Sequence, residues 1–352
     1  MPASNSSRLG RRELLVTLGG GTAAALAGCT GGTSSGSGND NASGSSGGGG
    51  EVSMTVATSY QPGHILVQIA NEFKKRVESE SDGSISVNVS SGGAYGSESK
   101  ISELVKSGGV NAQTVGGLVW HKYAPKYAFF SNPYVMEDFE QITSVFESDA
   151  FQPAFDQIQQ NGNQYELGQQ VYIGKRHVTS NTPIRSPDDL KGIDLRLPEL
   201  DSIVAIWNAI GASPTPVALD ELYSALDNGV VDASEGPAEQ VYSSDLYEVQ
   251  SHYNKTAHQI ETGNLMVNKD FYDGLDQTNQ DILDKAGANI TKSATDTAKN
   301  REEALFDKLS KKGMTIVEDV DVEAFRSAAR PAVKEQFKSN WALSWDQVQK
   351  QA

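Results

Sequence analysis

Residues 191–247 alternate between strand and helix patterns and carry the sequence KGIDLRLPELDSIVAIWNAIGASPTPVALDELYSALDNGVVDASEGPAEQVYSSDLY. Apolar and polar residues alternate over 193–197, which is the period of a half-buried strand. Apolar residues then recur every three or four positions over 203–210, which predicts an amphipathic helix. Gly211 follows it, where a left-handed C-terminal cap belongs.

The second half of this stretch repeats the pattern. A short extended piece at 214–216 precedes a helix predicted over 220–229, and a third strand is predicted at 230–233 and ends before 235–236. Parallel strands joined by helical crossovers place ligands beyond their carboxyl ends. We therefore expect Arg196 and residues 235–236 to converge on one crevice.

Residues 51–115 show the same alternation of strand and helix patterns, and two other segments predict the elements that join the two units. Two such units imply two α/β lobes whose strand ends face each other across a cleft. A helical pattern over 276–312 predicts a helix of roughly 50 Å, long enough to run along both lobes. Residues 169–177 predict a strand that crosses between the lobes. The elements predicted before residue 116 are a strand at 53–58, a helix at 63–78, a strand at 84–89, a helix at 97–106 and a strand at 110–115.

The motifs of residues 191–247 closely resemble the DctP-type solute receptors of TRAP transporters, which are tripartite, ATP-independent, ion-driven uptake systems. In that family a strand with a central Arg precedes a Gly-Ala-x-Pro-Thr-Pro turn, and a Gly-Val-Val-Asp-Gly-x-Glu-Asn-Pro segment follows. The resemblance extends upstream through 174–176 and 186–192, and in weaker form it covers the chain from about Val52 onward. The matching segments are RLPELD from Arg196, IGASPTPVALDELYSAL from Ile210, GVVDASEGP from Gly229 and YSSDLYEVQ from Tyr242.

The resemblance implies an α/β fold of the periplasmic-binding-protein type with two lobes. Each lobe is then a parallel or mixed sheet flanked by helices, and crossing strands and a long helix join the two. On this pattern we expect lobe I at residues 51–172, with a return segment at about 260–300. Lobe II is expected at 173–259 and is completed by about 300–352.

Two arginines are candidate ligand contacts. A guanidinium forks onto a carboxylate with two parallel hydrogen bonds, which lysine cannot do. Receptors of the resembled family use an arginine at the position of Arg196 to hold the ligand carboxylate, and Arg176 matches a second family arginine near the ligand. The alternatives are an exposed arginine at a strand end for Arg196 and a surface charge at the hinge for Arg176.

Position 236 departs from the family pattern. Gly236 stands where the family often has Asn, which contributes a ligand hydrogen bond, so the usual substrate contact there is in question. Glu235 is retained, and a carboxylate beside a bound carboxylate costs energy unless something neutralises it. We expect a salt bridge from Glu235 to a nearby arginine, a ligand that bears an ammonium or hydroxyl group, or a bound cation.

Three residues are predicted to line the cleft from the first lobe. Gly116 and Gly117 end its third predicted strand, and Trp120 follows so closely that we expect it to overhang the cleft. The rest of the aromatic run over 123–134 predicts core packing.

The N-terminus predicts an exported lipoprotein. Paired arginines at 11–12, an apolar run over 14–26 and the small-residue site LAGC ending at Cys29 describe a twin-arginine signal peptide at residues 1–29 with a lipobox. Cys29 then becomes the lipidated first residue, which attaches the protein to the outer face of the cytoplasmic membrane. The alternative is an uncleaved anchor, but the apolar run is shorter than the roughly 20 residues that a span needs. Residues 30–50, rich in Gly and Ser, predict a tether.

The composition excludes several classes of function. A net charge of −16, from 45 acidic and 29 basic side chains, argues against nucleic acid as a partner. The acidic residues are scattered along the chain, which resembles the surface of a protein from a saline habitat. Cys29 is the single cysteine, and the five histidines do not pair at helical spacing, so we expect no metal site, no cofactor and no catalytic residues.

The sequence therefore predicts an extracytoplasmic receptor, and no enzyme, for a small carboxylate that is delivered to the large and small membrane subunits of a TRAP permease. Two alternatives remain: an extracellular α/β enzyme on a two-lobe frame, and a sensory receptor that hands its closed form to a signalling partner.

Overall fold

The computed structural model describes residues 51–350, whose strands form one mixed sheet of eight strands and a separate sheet of two. The strands are β1 (Val52–Ala57), β2 (Ile85–Ser90), β3 (Ala112–Val115), β4 (Gln164–Glu166), β5 (Val171–Ser180), β6 (Asp194–Leu197), β7 (Ser213–Pro216), β8 (Ser234–Pro237), β9 (His252–Asn268) and β10 (Thr315–Val317). The predicted signal peptide, the lipobox and the tether lie outside the described residues.

Twelve α-helices cover the sheets within this range. They are α1 (Ile65–Glu80), α2 (Glu98–Lys106), α3 (Leu118–Tyr123), α4 (Phe139–Phe146), α5 (Gln152–Gly162), α6 (Asp201–Ile210), α7 (Leu222–Asp227), α8 (Ala238–Ser243), α9 (Lys269–Asp273), α10 (Gln277–Lys311), α11 (Val322–Ser339) and α12 (Trp345–Gln349). None of the helices between residues 51 and 350 has the length and the apolar character that crossing a membrane requires.

Two long antiparallel strands, β5 and β9, connect the two halves of the large sheet. The last part of β9 pairs with β3 and β4, beside the parallel strands β1 and β2. The first part of β9 pairs with β5 and β10, and β5 pairs with β8 on its other side. The predicted crossing strand is therefore β5, and the segment at about 260–300 that was predicted to return to the first lobe begins within β9 and continues into α10.

The long helix α10 packs against both halves of the molecule. It has 35 residues and begins after Asp276, whose side chain accepts a hydrogen bond from the Asn279 amide. Its early residues, such as Leu283 and Ile290, join the core around α1, whereas Leu305 and Leu309 join the core around α7 and α8. One continuous helix thus serves two hydrophobic cores, as the helical pattern over 276–312 predicts.

The strand predicted at 230–233 is wrong. This segment turns away from the end of α7: the Val230 amide donates to the Ala225 carbonyl, and the Val230 side chain is 60% exposed. The strand begins at Ser234 instead and contains Glu235 and Gly236, which the sequence placed after its end. It runs antiparallel to β5, so the parallel pairs in this half, among the described residues, are β6 with β7, β9 with β10 and a single bridge at Leu195.

Candidate ligand-binding site

A small cavity of about 60 Å³ brings side chains from both halves of the sheet together. Arg176 comes from β5, Arg196 from β6, Glu261 from β9, and Glu98 from the start of α2. These four charged side chains line one cavity and are themselves buried or partly buried, and burial makes each charge matter more than it would in water.

Arg196 is a buried cation that is not paired with a carboxylate among the residues that the structure describes. Its side chain is 2% exposed, and its Nε donates to the Val217 carbonyl at 2.8 Å. Within residues 51–350, no carboxylate lies within 4.0 Å of its guanidinium nitrogens. Burial lowers the pKa of Arg196 to about 10, which leaves it charged at neutral pH. A guanidinium in this condition is ready to form a forked pair with an incoming carboxylate.

Arg176, in contrast, is saturated by protein carboxylates. Its Nε and Nη2 donate to the two carboxylate oxygens of Glu235 at 2.5 Å each, and its Nη1 donates to Glu261. His258 adds a contact of 3.0 Å between its Nε2 and Glu235. Burial alone would raise the pKa of Glu235, but Arg176 and His258 hold it well below its usual range. Glu235 thus forms the salt bridge that was one of the three alternatives for it.

Glu98 and Glu261 form an acidic wall of the cavity. Glu98 accepts hydrogen bonds from the Gly116 amide at 2.8 Å and from the Tyr60 hydroxyl at 3.3 Å. Burial raises the pKa of Glu98 and of Glu261, although Arg176 opposes the rise at Glu261. A Cβ atom at Gly116 would lie 2.8 Å from both Glu261 Oε1 and the Tyr60 hydroxyl, so only glycine lets these groups meet.

Three carboxylates face two guanidiniums around this cavity. The carboxylates belong to Glu98, Glu235 and Glu261, and the cations to Arg176 and Arg196. Among the described residues, the site therefore combines one guanidinium that is not paired with a carboxylate and several carboxylate oxygens that can accept hydrogen bonds.

Family membership follows from comparison with known proteins. Residues 56–340 match the family model described as bacterial extracellular solute-binding protein, family 7, or DctP. The chain belongs to this family. The match confirms the resemblance seen in the motifs, and the family is one of solute receptors, which favours neither the enzyme nor the sensory alternative.

Curated relatives of this DctP-family protein bind different solutes. The sialic acid-binding periplasmic protein SiaP of Vibrio cholerae is 34% identical over 208 residues, which span 59% of this chain and 64% of that protein. A solute-binding protein of Roseobacter denitrificans is 31% identical over 272 residues, 75% of this chain and 80% of that protein. The ectoine-binding periplasmic protein TeaA of Halomonas elongata is 28% identical over 290 residues, 78% of this chain and 81% of that protein.

Solved structures confirm the two-lobe fold. A TRAP periplasmic solute-binding protein from Roseobacter denitrificans, with bound L-galactonate, superposes with a TM-score of 0.77 at 28% identity and covers 81% of this chain and 94% of its own. One from Actinobacillus succinogenes gives a TM-score of 0.80 at 24% identity, over 85% and 99% of the two chains.

The structure brings most of the predicted site residues together in this DctP-family protein. Arg176, Arg196 and Gly117 line the cavity, with Gly116 and Glu235 immediately behind them. Gly236 lies one residue further along β8, and its carbonyl accepts a hydrogen bond from the Tyr253 hydroxyl at 3.1 Å.

Trp120 is not at the cavity, which corrects the prediction that it overhangs the cleft. Its side chain is completely buried, and its Nε1 donates to Asn264 Oδ1 at 2.9 Å. It packs edge-on against Phe130, Phe146 and Phe155. An indole of this size is stabilised more by a closed aromatic core than at a polar cavity wall.

A larger cavity of about 640 Å³ lies elsewhere, between α4, α5 and α10. Its walls include Phe139, Phe155 and Glu166, and none of the predicted site residues line it. The guanidinium of Arg196 lies at the smaller cavity and not at this one. In the part of the chain that the structure describes, no cluster of three His, Cys, Asp or Glu side chains could hold a metal ion.

Sequence reasoning missed the acidic wall. Glu98 follows the serine that caps α2, a position where an acidic residue is common for helix stability alone. Glu261 lies in the middle of β9, and its contact with Arg176 spans 85 residues of sequence. No local pattern could have signalled that either residue faces a ligand.

Proposed function

We propose that this protein captures a small organic carboxylate outside the cytoplasm and delivers it to the membrane subunits of a TRAP-type permease. The observation that carries the proposal is Arg196, a buried guanidinium with no counter-ion in the described structure. A ligand carboxylate would supply two charge-assisted hydrogen bonds to it and cancel the cost of burying its charge.

The remaining charged groups would position the ligand. Because Arg176 already holds Glu235 and Glu261, its role would be to fix these carboxylates and to contribute positive potential. Glu98 and Glu261 could then accept hydrogen bonds from donor groups on the ligand. SiaP and the galactonate-bound receptor carry ligands that combine a carboxylate with such donors, which supports this polarity.

The cavity volume favours a compact ligand. A space of about 60 Å³ corresponds to about two water molecules at roughly 30 Å³ each, so only a very short carboxylate fits the cavity as it stands. A larger solute would require the lobes to part further. We propose residues 51–172 with about 260–300 as one lobe, and 173–259 with about 300–352 as the other, moving about β5 and β9. A ligand shifts this equilibrium only if it binds the closed form better than the open one.

We further propose that the chain is exported, that lipidated Cys29 anchors it to the outer face of the membrane, and that no bond in the ligand is changed. The composition at LAGC and the family's receptor role support these points. Labelling with a radioactive fatty acid, lost in Cys29→Ala, tests the anchor. Mass spectrometry of a ligand recovered after prolonged incubation tests the absence of turnover.

Thermal unfolding in the presence of candidate solutes tests the proposed function. The panel contains monocarboxylates, dicarboxylates, sugar acids, amino acids and neutral sugars. A ligand at a hundred times its dissociation constant adds about 2.7 kcal/mol of stability. Carboxylates should stabilise the native protein much more than Arg196→Ala, which should lose about 2–5 kcal/mol of binding free energy. Stabilisation by neutral sugars alone would exclude the proposal.

A further inference from the structure

Gln240 places an amide with no partner at the cavity. Its side chain is 4% exposed and lines the same cavity as Arg196. Its Nε2 is fully buried and has no hydrogen-bond partner within residues 51–350. Burying an amide N–H group without an acceptor is unfavourable, so its position at a cavity indicates that a bound ligand supplies the acceptor.

Gly236 makes room for this amide. A Cβ atom at position 236 would lie 3.1 Å from Gln240 Nε2 and 3.3 Å from Gln240 Cδ, tighter than ordinary contacts. The side chain of Gln240, from the first turn of α8, therefore rests directly against the bare backbone of β8. The glycine and the glutamine form one feature: the space that a side chain at 236 would occupy is taken by the Gln240 amide.

We propose that Gln240 is a specificity-determining residue that hydrogen-bonds a hydroxyl group of the bound carboxylate; this inference rests on the proposed function. A primary amide offers two donors and an acceptor, and a hydroxyl can both accept from it and donate to it.

Two other ligand groups fit the site less well than a hydroxyl. A second ligand carboxylate could accept from Nε2, but it would add a negative charge to a site where Glu98, Glu235 and Glu261 already outnumber the two arginines. An ammonium group only donates, so it would leave Nε2 unpaired. The cavity thus selects hydroxylated monocarboxylates over dicarboxylates and over their deoxy analogues.

Matched pairs of carboxylates test this assignment by calorimetry on the intact protein. The pairs are glycerate with propionate, erythronate with butyrate, and L-galactonate with hexanoate, and succinate is the dicarboxylate. The native protein should bind the hydroxylated member of at least one pair more tightly than its deoxy partner and more tightly than succinate. Gln240→Met, which keeps the length of the side chain and removes the amide, should reduce that preference at least tenfold and leave the affinity for the deoxy acid unchanged.

Gln250→Met is the matched control. Gln250 is 2% exposed and also has an unpartnered Oε1, but it does not line the cavity. This variant should keep the native preference. If Gln240→Met does not fold, Gly236→Ala provides the second test, because its methyl group must displace the Gln240 amide and should weaken the same preference.

The outcomes separate the two proposals. An unchanged preference in Gln240→Met, or an equal loss for both members of a pair, would refute the role of Gln240 while the carboxylate site at Arg196 stands. If no carboxylate binds the native protein, or if Arg196→Ala binds normally, the proposed function itself is wrong, and the role of Gln240 is refuted with it.

Discussion

Replacing Arg196 with methionine should stabilise the ligand-free protein and weaken its binding of carboxylates. Burial lowers the pKa of this arginine from 12.5 to about 10, and no carboxylate pairs with it within the described residues. That difference corresponds to about 3 kcal/mol of unfavourable free energy for the charged form in the folded state. The cost is fully present at pH 7, below both pKa values, and would diminish only as the pH rises above 10.

Methionine removes the buried charge and keeps most of the side-chain volume. The Val217 carbonyl loses its hydrogen bond from Arg196 Nε, at a cost of about 1 kcal/mol. The net effect is a gain of about 2 kcal/mol in the free energy of unfolding, or roughly 3–6 °C in Tm for a chain of this size. Urea and thermal unfolding at pH 7, without added ligand, measure the gain. Calorimetry with a carboxylate that binds the native protein should show an affinity lower by about 30-fold or more.

Arg176→Met is the control because the two arginines differ mainly in their partners. Removing Arg176 leaves Glu235 and Glu261 without their counter-ion and should cost about 3–5 kcal/mol of stability. Opposite signs for the two variants are expected. If Arg196→Met destabilises the ligand-free protein as much as Arg176→Met does, Arg196 has a counter-ion in solution. The inference that its charge is buried without a partner is then refuted.

Three further predictions concern glycines with close neighbours and the carboxylates near the cavity. Gly168→Ala should lower the free energy of unfolding by about 2–4 kcal/mol, because Gly168 has a φ of +90° and a Cβ there would lie 2.7 Å from the backbone of α10. Gly211→Ala is the control: Gly211 has a φ of +107° but no neighbour within 4 Å of the added Cβ, so this change should cost only about 1–2 kcal/mol. Gly116→Ala should weaken carboxylate binding at least tenfold, since its methyl group must push Glu261 aside, and calorimetry measures the loss. Glu235→Gln should flatten the decline in the free energy of unfolding below about pH 5, which urea unfolding at a series of pH values measures. Burial opposes ionisation of Glu235, but its arginine partner keeps the folded-state pKa below 4.5. The stabilisation from Glu235 is therefore complete above the unfolded-state pKa and is lost as the pH falls.

The frame of the molecule could be predicted because each element carries its own periodic signal. The helix predicted at 276–312 is α10, and the strands predicted at 53–58 and 84–89 are β1 and β2. The prediction of a strand at 230–233 was wrong because two adjacent valines favour a strand locally. In the structure the chain turns at Gly229, which has a φ of +67°, after the end of α7, and the strand begins only at Ser234. Tertiary context decided that boundary.

The site was only partly predictable, for a different reason. Arg196 and Arg176 stood out through the family motif, but nothing in the sequence shows which of them has a protein partner. That distinction depends on Glu235 and Glu261, which approach Arg176 from 59 and 85 residues away. Pairing across such distances is set by strand register in the folded sheet, and single-sequence patterns do not contain the register.

The strand register explains why only one of the two arginines is paired with protein carboxylates. Arg176 lies on β5, where β8 flanks it on one side and β9 on the other, so an acidic residue from each neighbouring strand reaches its guanidinium. Arg196 lies on β6, whose sheet partner β7 contributes only a backbone carbonyl from the residue that follows it. β5 thus holds a guanidinium that is already paired with carboxylates, and β6 holds one that is not paired with a carboxylate among the described residues. The fold itself supplies counter-ions to the arginine on β5. We therefore expect only the arginine on β6 to gain a counter-ion from a bound carboxylate, which would offset the cost of burying its charge.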